Sequence, residues 1–436
     1  MKIISNYITN ERNFYMQKNW AGNLQYSTSN WHEPETIEDL QQLVSKVTKL
    51  RVVGTRHSFN SIADSDENLV SLHKLNKVLN IDKKKKNVTV EAGIKYGNLC
   101  YELHQHGYAL QNLASLPHIS VAGACATATH GSGNHNQNLA AAVSAMEVVT
   151  ASGSVVKFSR ETSGEEFYGS VVGLGGIGVV TKLTLDIVPS YQMRQDVYEN
   201  LPLSQLAHDF DTIFSSAYSV SLFMDWQDET INQVWLKSKV TDGQVFSFGE
   251  DFHGAKVATE NLHPVPGVGA ENCTAQLGVE GDWLDRVPHF RMNFTPSKGQ
   301  ELQSEYIFAR EHAYEALCAL SDIREYIAPH LLISEVRTIA KDELWMSPSY
   351  KQDSVAIHFT WQDKWAEVQQ VLPLIEAKLE PFQAKPHWGK LFTTSPEKIQ
   401  SLYEKMSSFQ SLLNKYDPNG MFRNRFLSRY IFNEGE

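Results

Sequence analysis

Apolar residues recur at helical spacing over 34–50, PETIEDLQQLVSKVTKL, where Ile37, Leu40, Leu43, Val44 and Val47 share a face. Pro34 and Thr36 stand near its start, so the pattern predicts a helix there. A short strand, RVVG (51–54), and a polar turn, TRHSFN, follow. VTVEAG (88–93) alternates as a strand behind the charged tip DKKKK (82–86), and 96–107 predicts a second helix. Residues 143–158, VSAMEVVTASGSVVKF, form two β-rich runs around a Ser-Gly turn and predict a hairpin.

Beyond Pro189 the pattern changes. Aromatic-rich strands are expected at SVSLFMDW (219–226) and QVWLKSKV (233–240). The irregular stretch 241–300 is too long for an ordinary connection and is expected to wrap over a surface. Strand and helix then alternate: ELQSEYIFAR, a helix over 311–328, LLISEVRTIA, SVAIHFTWQ and a helix over 364–380. This alternation predicts a sheet covered by helices on one face.

Two glycine-bearing segments interrupt the alternation. SVAGACATATHGSG (120–133) carries almost no bulky side chain, which suits backbone lying close against a ligand, or else a tight loop. Gly173, Gly175 and Gly178 satisfy G-x-G-x-x-G, but the β-branched run VVTKLTLDIV follows where a dinucleotide fingerprint requires a helix. A nicotinamide site is therefore not expected.

At 436 residues, two or three domains of about 100–200 residues are expected. The chain carries 39 basic and 50 acidic residues, a formal charge of −11, which argues against a broad nucleic-acid or anionic-lipid surface. No apolar run reaches the ~18 residues of a membrane span, and the leading residues show no signal core. Four scattered cysteines make no CxxC pair, and His130 and His135 lack the partners of a metal site, so no metal is expected. A reduced, cytoplasmic, monomeric protein is the expectation.

Some polar residues fall inside apolar strands. Glu335 and Arg337 share one strand face, and His358 and Thr360 share another. KPHWGK adds His387 and Lys390. Ionisable groups in such positions are costly to bury unless paired. They form either a pocket floor, if the strands are neighbours, or a solvent-facing pair. His57, in its polar turn beside Ser58 and Asn60, could be a cap, a base or an attachment point.

The order RVVGTRHSFN, ASLPHISVAGACATATHGSG, GLGGIGVVTKLTL, DPNGMFRNRF resembles the vanillyl-alcohol oxidase / p-cresol methylhydroxylase flavoprotein family. NWAGNLQYS, AYSVSLFMDW, HPVPG, NCTAQLGVEGDW, ELQSEYIFARE, SEVRT, HFTW and PHWGK are similar to its alditol-oxidising members. The match runs from about Asn19 to Phe426.

This resemblance implies an α+β fold. A two-lobed FAD-binding domain (19–190), a substrate cap with an antiparallel sheet (191–390) and a C-terminal return (391–436) are expected. It implies FAD held by one covalent bond, from His57 to the flavin 8α methyl, because ASLPHIS has no cysteine for a second. Arg56 stands where the pattern has glycine. Backbone N–H groups of Ser120, Gly123, Ala124, Cys125, Ala126 and Thr127 are expected at the pyrophosphate. Arg51, Val52, Val53, Gly54, Thr55 and Arg56 are expected opposite, with further contacts from Val179, Arg337 and His387.

Polyol binding by Ser115, Glu335, Arg337, Thr360 and Lys390 is likewise implied. The expected reaction is oxidation of a terminal alcohol of xylitol or sorbitol, with oxygen reduced to peroxide. Lys390 is the expected base, His358 its rival, and Arg337 the group facing charge on the reduced flavin. Ala114, beside Ser115, leaves room for oxygen. A sugar-lactone oxidase or dehydrogenase on the same fold is the alternative.

Overall fold

The computed structural model describes residues 17–240, 248–291 and 301–434. Parts of the expected irregular stretch 241–300 thus lie outside the described residues. Strands β1 (Val78–Asp82), β2 (Asn87–Glu91), β3 (Val143–Val149), β4 (Val155–Ser159) and β5 (Val179–Asp186) form a sheet in the order β1-β2-β5-β3-β4. Every neighbouring pair is antiparallel. A parallel, doubly wound nucleotide fold is therefore excluded for this region. The Lys run forms the tip between β1 and β2, and Gly178 (φ 151°) leads straight into β5.

A three-stranded parallel sheet stands beside it, with Leu69–Val70 between Trp31–His32 and Arg51–Val52. The helix expected over 34–50 spans Ile37–Val44. Thr36 and Asp39 close a capping box at its start, and it stops at Ser45, whose hydroxyl bonds back to Gln42 O. The C-terminal helices Pro396–Leu402, Met406–Tyr416 and Arg425–Tyr430 bury Ile399, Phe409, Leu413 and Leu427 in the same core as Met146, Phe158 and Phe167.

The second sheet has β6 (Gln192–Pro202), β7 (Ser219–Met224), β8 (Thr230–Val240), β9 (Glu301–Ala309), β10 (Leu331–Ile339) and β11 (Ser354–Gln362) at its centre, in the order β6-β8-β7-β10-β11-β9. All of these pairs are antiparallel. One face carries Leu222, Val336, Ile357, Phe359 and Tyr306. They pack against Leu206–Ser215, Ala313–Ser321 and Trp365–Leu379 through Phe214, Leu317, Val368 and Leu372. The helix expected over 311–328 breaks near Asp322–Ile323 into Ala313–Ser321 and Arg324–Ile327. The other face of the sheet turns toward the first core and carries the polar residues.

Candidate active site

Two cavities meet at Val53–Thr55, Ser58, Ser120, Gly123 and Thr127. The one under the second sheet has about 550 Å³, and the one between the two small sheets about 450 Å³. At the junction a Cβ on Gly54 would lie 2.5 Å from Ser120 Oγ, and one on Gly123 2.7 Å from the same atom. Side chains there would clash across the channel, which is the reason for the small residues. Val52, Cys125 and Ala126 line the second cavity, and Ala124 the first. Burial raises the Cys125 thiol to about 12, so it is an inert wall.

The segment after Ser120 is a helical turn, Val121–Ala126, not extended backbone. Its amides are partly spent as a result. Ser120 N–H donates to Thr55 Oγ1, Ala124 N–H to Ser120 O and Thr127 N–H to Ala124 O. Ala122 and Gly123 line the second cavity from the first turn, where amides have no intrahelical acceptor. The first-turn amides are thus the ones left to face the second cavity.

Val179 and Arg51 are also among the expected cofactor contacts. The Val179 side chain enters the core around Leu50, Val70 and Phe422, while its neighbours Gly178 and Val180 line the cavity. Strand alternation puts the two valines on opposite faces. Arg51 lines the second cavity, and its buried guanidinium is also a brace. It donates to Ile62 O, Leu174 O, Gly175 O and Phe422 O over 2.5–2.9 Å, joining three chain segments beneath the second cavity.

His57 follows a left-handed residue, Arg56 (φ 63°). Glycine adopts this conformation freely. Here Arg56 is held in it, donating to Gln17 Oε1 at 2.8 Å and Lys18 O at 3.3 Å. The turn aims His57 into the first cavity, its ring stacked on Trp20 with centroids 5.1 Å apart. His57 Nδ1 lies 3.0 Å from Thr55 Oγ1. Burial lowers its pKa to about 4, so the imidazole is neutral and its nitrogen lone pair available.

The polar face of the second sheet lies over this cavity. Glu335, His358 and Glu305 sit in register across β10, β11 and β9. Two residues to one side of this row comes Arg337 on β10, and two residues to the other side come Thr360 on β11 and Gln303 on β9. Lys390 Nζ donates to Glu305 Oε2 at 2.7 Å and to His358 Nδ1 at 2.8 Å. His358 Nε2 lies 3.0 Å from Thr360 Oγ1. Both ring nitrogens are engaged, and burial followed by Lys390 holds this imidazole well below its usual pKa. Burial lowers Lys390 too, against the pull of Glu305.

Arg337 Nη2 donates to Glu305 Oε1 at 2.6 Å, and Arg337 Nε lies 3.5 Å from Glu335 Oε2. His387 accepts the Gly389 amide on Nδ1, and burial lowers its pKa to about 3. Ser115 and Ala114 line the cavity from the loop before Val121–Ala126. The pocket-floor alternative thus describes the geometry.

Three groups have no counterpart among the expected site residues. Glu305 had the same signal as Glu335, a carboxylate inside an apolar strand. His130 Nε2 lies 3.3 Å from Glu305 Oε1, a role no metal-ligand spacing discloses. His289 Nε2 donates to Glu335 Oε1 at 2.8 Å from the irregular stretch, where no periodicity points to it. Among the described residues no group of three or more His, Cys, Asp or Glu is arranged for a metal ion, and no helix is long and apolar enough to cross a membrane.

Comparisons agree with this geometry. An FAD binding domain model matches residues 31–159, and a D-arabinono-1,4-lactone oxidase model matches residues 292–430. The alditol oxidase of Streptomyces sp. (strain IKD472 / FERM P-14339) is 47% identical over 413 residues, covering 94% of this chain and 97% of that protein. The L-gulono-1,4-lactone dehydrogenase of Mycobacterium tuberculosis (strain CDC 1551 / Oshkosh) is 27% identical, covering 95% and 98%. A crystal structure of cholesterol oxidase from B. sterolicum shares the fold, with a TM-score of 0.74 at 13% identity, covering 95% and 96%.

The joined cavities and these matches define an FAD-dependent oxidoreductase. The chain belongs to the vanillyl-alcohol oxidase / p-cresol methylhydroxylase flavoprotein family, in the branch of the Streptomyces alditol oxidase.

Proposed function

We propose that this flavoprotein oxidises the terminal primary alcohol of alditols such as xylitol and sorbitol to the aldose, with oxygen as acceptor and hydrogen peroxide as product. One observation carries the reading: the polar face of β9–β11, bearing Glu335, Arg337 and Thr360, lies with Lys390 from the following turn over the cavity that meets the glycine cradle. A polyol offers many hydroxyls and little apolar area. Its recognition needs placed donors and acceptors, because a buried polar group left unpaired costs about 1–3 kcal/mol.

Bound FAD would supply the redox chemistry, taking the carbon-bound hydrogen as hydride and passing its two electrons to oxygen. His57 holds it through a single histidyl bond, and its neutral imidazole suits that role. Glu335 accepts from substrate hydroxyls, with its second partner His289 fixing the carboxylate. Thr360 and Ser115 pair further hydroxyls, and Arg337 stabilises negative charge beside the flavin. Lys390 takes the hydroxyl proton. His358, with both nitrogens occupied, orients Lys390 and Thr360 instead. Ala114 leaves space for oxygen beside Ser115.

The test is anaerobic flavin reduction by xylitol in Lys390→Met and His358→Ala. Lys390→Met is expected to lose roughly 10²–10⁴-fold, the usual share of a general base, and His358→Ala less. If neither loses tenfold, the assignment of the base is wrong.

A second reading has its own support. The lactone oxidase model matches residues 292–430, the segment that carries Glu335, Arg337, Thr360 and Lys390. A sugar lactone also offers several hydroxyls, so it is the competing substrate class.

A further inference from the structure

Glu305 is the most deeply buried carboxylate at the site, with its side chain 1% exposed. Burying a charge costs several kcal/mol unless paired, and an apolar residue in mid-strand would avoid that cost. On the opposite face of the same strand, Leu302, Tyr306 and Phe308 do that. Glu305 therefore calls for a reason beyond packing.

Its contacts exclude two roles. Arg337 Nη2 donates to Oε1 at 2.6 Å, with His130 Nε2 at 3.3 Å, and Lys390 Nζ donates to Oε2 at 2.7 Å. Both oxygens are taken, so neither is left as the principal acceptor for a substrate hydroxyl. Nor is the group a base. Burial pushes its pKa up, but Lys390, His130 and Arg337 together pull it well below the usual carboxylate range. It stays an anion.

We infer that Glu305 is a positioning residue: its fixed negative charge holds Lys390 and stabilises the ammonium that Lys390 becomes when it takes the substrate's hydroxyl proton. This rests on the alcohol-oxidising reading above. In the step, the alcohol O–H bond breaks and an N–H bond forms on the Lys390 amine. The carbon–hydrogen bond breaks, its hydrogen would leave with the electron pair as a hydride to FAD, and the carbonyl forms. Substrate is oxidised by two electrons and FAD reduced by two.

The hydrogen bonding fits. Lys390 Nζ has two acceptors, Glu305 Oε2 and His358 Nδ1. A neutral amine has two N–H bonds for them, and its lone pair is left for the cavity. The charges fit as well. Two carboxylates, Glu305 and Glu335, flank one guanidinium, Arg337, and Glu305 Oε2 is the oxygen that faces Lys390. A proton taken up at Lys390 is therefore held directly against a carboxylate. Arg337 and His130 brace Glu305 from the side away from Lys390, so the charge stays in place. Gln303 and Thr360, two further polar groups lining the cavity, carry no charge.

The experiment uses the FAD-loaded enzyme and follows anaerobic flavin reduction by xylitol from about pH 5.5 to 10 in wild type, Glu305→Gln and Glu305→Asp. Glutamine keeps the shape and an acceptor for Lys390 but removes the charge. An opposite charge at this range shifts a pKa by about 1–3 units. The alkaline-rising limb of the rate is therefore expected to move about 1–3 pH units lower in Glu305→Gln. The limiting rate should fall more than tenfold while KM changes less than threefold. Glu305→Asp, which retains the charge at a longer reach, should fall between the two.

A purely structural role would change yield and melting temperature but leave the limb in place. An unmoved limb with a rate within threefold of wild type overturns the inference. If Glu305→Gln does not retain FAD, Glu305→Asp carries the test by the same limb. If xylitol fails to reduce wild type at every pH, the alditol reading fails instead. The same profiles are then taken with L-gulonolactone, where the same shift or its absence decides the matter.

Discussion

Lys237 lies on β8, outside the substrate cavity, yet it governs one wall of it. Its side chain is 1% exposed, and Nζ donates to three successive carbonyls, Arg286 O, Val287 O and Pro288 O, at 2.8, 2.8 and 2.9 Å. The next residue, His289, holds Glu335 Oε1. Replacing Lys237 by methionine fills the space but removes all three donors. Pro288 O keeps Thr274 Oγ1 at 2.9 Å, so two of the three carbonyls are left without their side-chain donor. At about 1–3 kcal/mol each, the gross cost is roughly 2–6 kcal/mol. Part returns, because burial lowers the Lys237 pKa to about 7, the mark of a costly buried ammonium.

A net loss of about 2 kcal/mol is expected, at the low end because only neutral carbonyls are orphaned. It should appear as a lower melting temperature of the FAD-loaded protein. The freed 286–289 segment should also release His289 from Glu335. Losing the order of one hydrogen bond, about 1–1.5 kcal/mol, raises the KM for xylitol roughly tenfold. The limiting rate of flavin reduction should stay within about threefold, since Lys390 and its partners are untouched. Unchanged stability and unchanged KM would refute the reasoning, and so would a collapse of the limiting rate at constant KM.

Two further outcomes are expected. Denatured wild-type protein should keep its flavin on a gel under ultraviolet light, and His57→Ala should lose it; flavin comigrating with the variant would place the bond elsewhere. Asp342, buried among Asn138, Ser347 and the Leu344 amide, has its pKa raised to about 6, chiefly by burial. Its folded pKa exceeds the unfolded value near 3.9, so its contribution is present at low pH and is lost as pH rises from about 4 through 6, by about 2–3 kcal/mol. Melting temperature should therefore fall more, or rise less, between pH 4 and 7 in wild type than in Asp342→Asn, and parallel profiles would contradict this.

The hydrophobic pattern discloses the second sheet well, because period-2 strands with one apolar face leave little freedom of register. It also places Glu335 and Arg337, and His358 and Thr360, on shared faces. It does not show that β10 and β11 are neighbours, which the pairing supplies. Helix ends are less legible. Ser45 stops one helix and Asp322–Ile323 breaks another, by local backbone bonding that apolar spacing does not register.

The small-residue segment points to the junction of the two cavities, but not to which amides remain once it coils into a helical turn. Val179 and Val180 differ by one strand position, and only pairing decides which faces the cavity. Arg51 illustrates another limit. A lone arginine on a short strand looks ordinary in sequence, and its four carbonyl partners come from positions up to 371 residues away. His289 lies in a segment without periodicity, and nothing local ties it to Glu335.

The central claim is that the floor formed by Glu335, Arg337, Thr360 and Lys390 recognises an open-chain polyol. Mixing the purified FAD protein anaerobically with xylitol, and separately with L-gulonolactone, and following the flavin band tests it most directly. Rapid bleaching by xylitol, with little by the lactone, is the result predicted. Bleaching by the lactone alone would leave fold and cofactor standing and contradict the assignment of the substrate.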